Sequence, residues 1–173
     1  MPSVPAVPSS SAADDAAQLI ALLTERRLTV AVAESLTGGL LVAELIRIPG
    51  ASAVVLGGVV AYNTALKHSV LGVDAELLAE HGPVHPDVAS QMATGVREVL
   101  AVDGRPADIG LSTTGVAGPG PQDGQPVGTV FLGLAIRDDV SSLRLSLDGD
   151  RQAIRSRVVY ESLQQLKSAL NAS

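Results

Sequence analysis

Thr29-Val30-Ala31-Val32-Ala33-Glu34-Ser35-Leu36-Thr37-Gly38-Gly39 runs directly into Leu40-Leu41-Val42-Ala43-Glu44-Leu45-Ile46. From Thr29 to Ala33 the apolar side chains do not alternate with polar ones, which is the pattern of a short strand buried on both faces. Leu40, Leu41, Ala43, Leu45 and Ile46 continue as a helix, and Pro49-Gly50 stops it. A buried strand, a glycine-bearing turn and a helix, in that order, open an α/β unit. Ligands in such sheets gather outside the carboxyl ends of the strands, and Glu34 to Gly39 falls there.

Upstream, Ser10 or Ser11 is placed to cap a helix beginning near Ala12, with Asp14 and Asp15 in its first turn and Ala16, Leu19, Ile20 and Leu23 as its buried stripe. Downstream, a second strand is expected over 53–61, and Tyr62-Asn63-Thr64 leads from it into a short helix carrying Lys67. Asp74 caps a further turn through Leu78, and Pro86 opens a longer helix with Val88, Met92, Val96 and Val99 on its inner face. A third strand covers 107–113, followed by a Gly/Pro-rich stretch over 115–128. Segments 129–136 and 141–147 read as a hairpin around Asp138-Asp139, with Leu143, Leu145 and Leu147 alternating with polar residues. The last helix, 150–170, buries Val159, Leu163, Leu166 and Leu170. Without repeats or a linker, residues 12–173 form one α/β domain with a mixed sheet, behind a flexible Pro/Ser-rich tail over 1–11.

Composition narrows the chemistry. The 173 residues suffice for one sizeable core, 46% are hydrophobic and only 2% aromatic, so that core is built from Val, Leu, Ile and Ala. A net charge of −6 argues against nucleic-acid binding through a broad basic face, yet permits a small anionic ligand in a locally positive pocket. The absence of cysteine excludes disulfides, thiolate catalysis and zinc–thiolate sites. His68, His81 and His85 lack metal-ligand spacing, since Gly82-Pro83 forbids a helix shared by the last two, and no metal is expected. The first residues do not read as a signal peptide, and no apolar run approaches the ~20 residues of a membrane span, so the expected compartment is the cytoplasm.

Four places can carry chemistry. At Glu34-Ser35-Leu36-Thr37-Gly38-Gly39 the serine faces the crevice and backbone N–H groups can hold an oxyanion or a phosphate; alternatively Ser35 or Thr37 only caps the helix. Tyr62 to Lys67 offers an amine that becomes a base if desolvated; otherwise Lys67 is an ordinary exposed helix lysine. Ser112-Thr113-Thr114-Gly115-Val116-Ala117-Gly118-Pro119-Gly120 can form a nest of N–H groups for an anion, or a purely structural turn. At Gly149-Asp150-Arg151, the guanidinium can fork onto a phosphate or carboxylate, or pair with a surface acid. No Ser-His-Asp arrangement is evident, and if Ser35 is a nucleophile, Lys67 is the best available base.

Taken together, Glu-Ser-x-Thr-Gly-Gly at 34–39, Gly-Gly-Val-Val-Ala-Tyr at 57–62 through Lys67 and Leu71-Gly72-Val73, Thr-Gly-Val-Ala-Gly-Pro-Gly at 114–120, Pro-Val-Gly-Thr-Val at 126–130 and Gly149-Asp150-Arg151 resemble the CinA C-terminal domain family. The resemblance spans about Ala16 to Leu170. Its stand-alone members are nicotinamide mononucleotide deamidases, and the larger CinA proteins carry an additional N-terminal domain. The resemblance implies a three-layer α/β/α sandwich with a mixed sheet, a homodimer, no cofactor, and hydrolysis of the carboxamide of nicotinamide mononucleotide. It places the family's serine on Ser35, its lysine on Lys67, its tyrosine on Tyr62, its strand-end hydroxyl on Thr114 and its arginine on Arg151. Asn63-Thr64 replaces the commoner Ser-Asn, Pro121 interrupts a glycine run, and His85 stands where a serine often caps a helix.

On this reading neutral Lys67 accepts the Ser35 proton and N–H groups of Thr37, Gly38 and Gly39 meet the oxyanion. Tyr62 orients Lys67 or relays the proton, while Arg151 and Thr114-Gly115 grip phosphate and ribose. A free lysine titrates near ~10.4 and must fall to about 7.5, a cost of about 4 kcal/mol to the cation, so Lys67 must be buried within hydrogen-bond reach of Ser35. The rival expectations are a nucleotide-binding or regulatory module without turnover, and an amidase for a different phosphorylated amide.

Overall fold

β1 (Val30–Glu34) is buried along its whole length and sits inside a five-stranded sheet of order β2-β1-β3-β4-β5. The computed structural model describes residues 9–172. β2 (Val55–Val60) and β3 (Ile109–Gly115) flank β1 in parallel, whereas β4 (Thr129–Ile136) and β5 (Asp139–Ser146) run antiparallel, so the sheet is mixed. After β1 the chain crosses to one side through α2 (Leu40–Ile46) and reaches β2. It then returns past β1 through α3 (Thr64–Ser69), α4 (Ala75–His81) and α5 (Pro86–Val99) to β3. The chain leaves β1 toward β2 on one side and leaves β3 toward β4 on the other, and these diverging exits open a crevice beyond the carboxyl ends of β1 and β3.

Both faces of β1 are covered. Val30 and Val32 point into a core shared with α1 (Ser9–Arg26), α2 and α6 (Arg151–Ala172), while Ala31 and Ala33 pack with Leu71, Val88, Met92 and Val96 on the α5 side. This is the three-layer α/β/α sandwich expected above, with small and branched aliphatics replacing aromatics in both layers. α5 lies unusually close to the sheet. A Cβ on Gly110 would stand 1.8 Å from the Ala93 carbonyl oxygen, and one on Gly133 would stand 2.1 Å from that of Ala89. Only glycine fits beneath the helix at these strand positions.

Several boundaries differ from the sequence expectations. α1 begins at Ser9, so Ser10 and Ser11 stand inside it, and Asp14 and Asp15 lie beyond its first turn. Asp15 is instead buried between α1 and α6, accepting from Lys167 at 2.9 Å and from Gln164. The expected N-terminal tail falls mainly on residues outside those described. Val99 is 44% exposed and Ile46 59%, each being the last residue of its helix. The hairpin turns at Arg137-Asp138, with Arg137 at φ 53°, and β5 is an exposed edge. Asp74, His85 and Pro86 cap and open their helices as expected: Asp74 accepts from Glu76 and Leu77 N–H, and His85 from Asp87 N–H. Among the described residues no helix is long and apolar enough to cross a membrane.

Candidate active site

Ser35 follows β1 directly. Its N–H donates to the Thr113 carbonyl at 3.0 Å, which pins the serine against the end of β3 at the crevice between the two strands. Gly38 and Gly39 then adopt φ of 59° and 99°, left-handed values that turn the chain into α2 without the penalty a side chain would incur. Glu34, fully buried, reaches past this turn and accepts from the N–H groups of Gly39, Leu41 and Val42 at 3.0, 3.0 and 2.9 Å. A carboxylate there satisfies the orphan donors of the helix and complements its dipole.

Lys67 arrives from the neighbouring strand. Asn63 caps α3 by accepting from Ala65 N–H at 2.9 Å, and this short helix delivers Lys67 inward rather than to solvent. The side chain is 1% exposed, and its Nζ donates to Ser35 Oγ at 3.0 Å and to the Ala61 carbonyl at 2.8 Å. Burial penalises the ammonium and lowers the Lys67 pKa from 10.5 to about 8. No carboxylate bonds to this amine among the described residues, so desolvation is not offset by an anion.

Ser35 and Lys67 open into a cavity of about 360 Å³, walled further by Tyr62, Val84, Thr114, Gly115, Gly118 and Arg151. The lining contains a lysine and an arginine but no aspartate or glutamate, a positive pocket on a chain of net charge −6. Arg151, exposed at the start of α6, donates to the Tyr62 hydroxyl at 3.1 Å and to the Gly118 carbonyl at 3.0 Å. Both partners are neutral, and a phosphate would be the stronger acceptor for such a fork. The pocket mouth is thus closed by three segments distant in sequence.

Sequence expectations for individual residues fare differently. Ser35, Lys67, Tyr62, Thr114, Gly115 and Arg151 meet at one cavity. Tyr62, however, is 61% exposed and bonds Arg151, whereas the amine of Lys67 is oriented by Ala61 and Ser35; the expected orienting bond from Tyr62 to Lys67 is not made. Thr37 is completely buried and its hydroxyl shares a 2.8 Å bond with that of Thr113. Gly38 N–H donates to the Ser35 carbonyl at 3.1 Å and Gly39 N–H to Glu34, so neither remains for an oxyanion. Of the turn's donors, the N–H groups of Leu36 and Thr37 have no acceptor among the described residues. The Thr114 hydroxyl donates to the Pro83 carbonyl at 2.6 Å, leaving its lone pairs and the neighbouring loop to face the cavity.

Sequence reasoning missed two residues. Glu34 was legible only as part of a motif; an acid at a strand end immediately before a helix was the available signal for its capping role. Arg155 donates to the Leu36 carbonyl at 2.9 Å and to the Thr37 carbonyl at 3.0 Å, bracing the turn from α6. Its spacing of four from Arg151 places both on one face of the helix, the one signal by which it could have been found.

The model of the CinA C-terminal domain matches residues 12–170. A "CinA-like protein" of Frankia casuarinae is 47% identical over 160 residues, covering 91% of this chain and 36% of that protein. A "putative competence-damage inducible protein" of Halalkalibacterium halodurans is 43% identical over 150 residues, covering 86% of this chain and 34% of that one. The chain therefore spans about a third of the length of these relatives. Among solved structures, a CinA superfamily protein from Klebsiella pneumoniae superposes with a TM-score of 0.88 at 30% identity, over 94% of this chain and 99% of the other. The competence/damage inducible protein CihA from Agrobacterium tumefaciens gives 0.85 at 35% identity, over 99% of each chain. By sequence along nearly its whole length and by fold, the chain belongs to the CinA C-terminal domain family.

Proposed function

We propose that the chain hydrolyses the carboxamide of nicotinamide mononucleotide to nicotinate mononucleotide and ammonia, with Ser35 as nucleophile and Lys67 as its base. The observation that carries this is the buried Lys67 amine, 3.0 Å from the Ser35 hydroxyl and lowered to about 8 by desolvation. At pH 7 that value leaves about a tenth of the molecules with a neutral amine. The pyridinium of the substrate, placed alongside, lowers it further.

The Ser35 Oγ–H proton passes to Lys67 Nζ as Oγ bonds to the amide carbon. The Leu36 and Thr37 N–H groups are the donors left in the turn for the resulting oxyanion. Lys67 returns the proton to the amide nitrogen, the C–N bond breaks, and ammonia departs from a Ser35 ester. Water gives a proton to Lys67 as its oxygen bonds to the ester carbon, the C–Oγ bond breaks, Lys67 returns that proton to Ser35 Oγ, and the released acid ionises to the carboxylate. Arg151 exchanges its two neutral acceptors for the phosphate, and the absence of acidic groups in the lining favours a phosphorylated substrate over a bare amide. The same reading carries the cytoplasmic role in pyridine nucleotide salvage and the homodimer that the family resemblance implies.

Ammonia release from nicotinamide mononucleotide and from nicotinamide, measured for the native chain, Ser35→Ala and Lys67→Ala, tests the proposal. Loss of about 10³-fold or more in both variants with ligand binding retained supports the dyad. Binding without turnover by the native chain overturns the amidase reading in favour of a nucleotide-binding module. Comparable turnover of nicotinamide overturns phosphate recognition.

A further inference from the structure

Arg155 is half-buried, and no carboxylate pairs with it among the described residues. Arg157, two residues on, behaves as a surface arginine does and meets Glu161 at 2.6 Å. Arg155 instead spends Nε on the Leu36 carbonyl and Nη2 on the Thr37 carbonyl, while Nη1 rests on the side-chain oxygen of Gln152 at 3.3 Å. Two successive carbonyls held by one planar cation fix the orientation of two successive peptide planes.

Those planes are the ones that matter next to Ser35. In a trans peptide the N–H points opposite to its carbonyl, so gripping the Leu36 carbonyl directs the Thr37 N–H away from the guanidinium. A carbonyl that accepts from a cation also polarises its own peptide, making that N–H a stronger donor. Thr37 N–H and the adjacent Leu36 N–H are the donors the turn has not already used. The second grip, on the Thr37 carbonyl, holds the peptide whose N–H belongs to Gly38 and closes back onto the Ser35 carbonyl at 3.1 Å.

We propose that Arg155 is a positioning residue of the Ser35 turn, orienting and polarising the Leu36–Thr37 peptide so that the Thr37 N–H, beside that of Leu36, is set toward the oxygen that becomes negative during attack by Ser35. This rests on Ser35 being the nucleophile, and not on the identity of the substrate. Arg155 lies outside the cavity lining and acts through the backbone. Because α6 also starts with Arg151, ligand contacts at the pocket mouth and the setting of the nucleophile turn share one rigid helix.

The test measures the rate at which an alkyl fluorophosphonate modifies Ser35, read by mass spectrometry of the intact chain. In that reaction Ser35 Oγ bonds to phosphorus, fluoride leaves and the hydroxyl proton passes to Lys67. Arg155→Ala is expected to slow modification about 10- to 100-fold, less than the roughly 10²- to 10³-fold that follows removal of an oxyanion donor, because the donors are weakened and not lost. Affinity for nicotinate mononucleotide is expected to stay within about twofold, as the side chain does not line the pocket. Methylguanidinium added to Arg155→Ala should restore part of the rate and leave the native rate unchanged. Arg155→Lys, able to meet one carbonyl at a time, should fall between native and Ala and serves where Ala does not fold. Modification of either folded variant at the native rate overturns the inference and leaves the dyad intact. A native chain that is not modified at Ser35 overturns the dyad and the inference together.

Discussion

Lys67→Met separates stability from chemistry at the one residue where they oppose each other. The native ammonium is buried, with its pKa lowered from 10.5 to about 8 by desolvation. That difference corresponds to about 3 kcal/mol, at about 1.4 kcal/mol per pH unit. Below pH 8 the amine is protonated in both folded and unfolded chains, and folding bears the full cost. Between about 8 and 10.5 the unfolded chain still binds the proton and the folded chain does not, so stability rises with pH; above 10.5 neither binds it. Met has no such term. It removes the buried cation, but leaves the Ala61 carbonyl without the donor it has at 2.8 Å, which costs about 1–2 kcal/mol. At pH 7 the variant should therefore be more stable than the native chain by about 1–2 kcal/mol, while losing amide turnover. Urea unfolding at pH 7 and pH 10 measures the change in this advantage, which should shrink by about 2–3 kcal/mol on going to pH 10. A difference between the two chains that does not vary with pH would show that Lys67 titrates as a solvated lysine does, refuting the desolvated base.

Three further outcomes follow from the same geometry. The kcat/KM for nicotinamide mononucleotide should rise with pH as Lys67 loses its proton and level off above about 8; a profile flat from pH 6 to 9 contradicts a lysine base. Arg151→Ala should raise KM for the nucleotide at least about tenfold with little change in kcat, measured by ammonia release, because the guanidinium sits at the pocket mouth rather than at Ser35. Glu34→Ala strips the partner from three buried or half-buried N–H groups at the start of α2, and should cost about 3–5 kcal/mol in urea unfolding.

The fold was readable where local chemistry and tertiary context agree. The unbroken apolar run before Glu34 announced a short buried strand, and Pro86, Asp74 and Pro49-Gly50 marked helix ends that the structure keeps. The meeting of Ser35 and Lys67 was expected from family resemblance; the spacing of the two residues could not place them together. They stand 32 residues apart, Ser35 just after β1 and Lys67 in α3 beyond β2, and the parallel pairing of β1 with β2 brings them within 3.0 Å. The fate of individual donors was beyond reach for a similar reason. Gly38 and Gly39 look like anion binders in any strand-to-helix turn, until Glu34 and the Ser35 carbonyl are seen to occupy them. Tyr62 lies five residues from Lys67 but faces Arg151, at a sequence distance of 89, because α3 turns the amine inward and leaves the ring outside.

If Ser35, deprotonated by Lys67, is the nucleophile, it becomes acylated during turnover. Acid-quenching the native chain within milliseconds of mixing with nicotinamide mononucleotide, followed by mass spectrometry of its peptides, looks for that ester directly. An adduct with the mass of the nicotinate mononucleotide acyl group is expected on the peptide carrying Ser35 and absent from Ser35→Ala. Steady release of ammonia by Ser35→Ala at the native rate, with no adduct on the native chain, would contradict it.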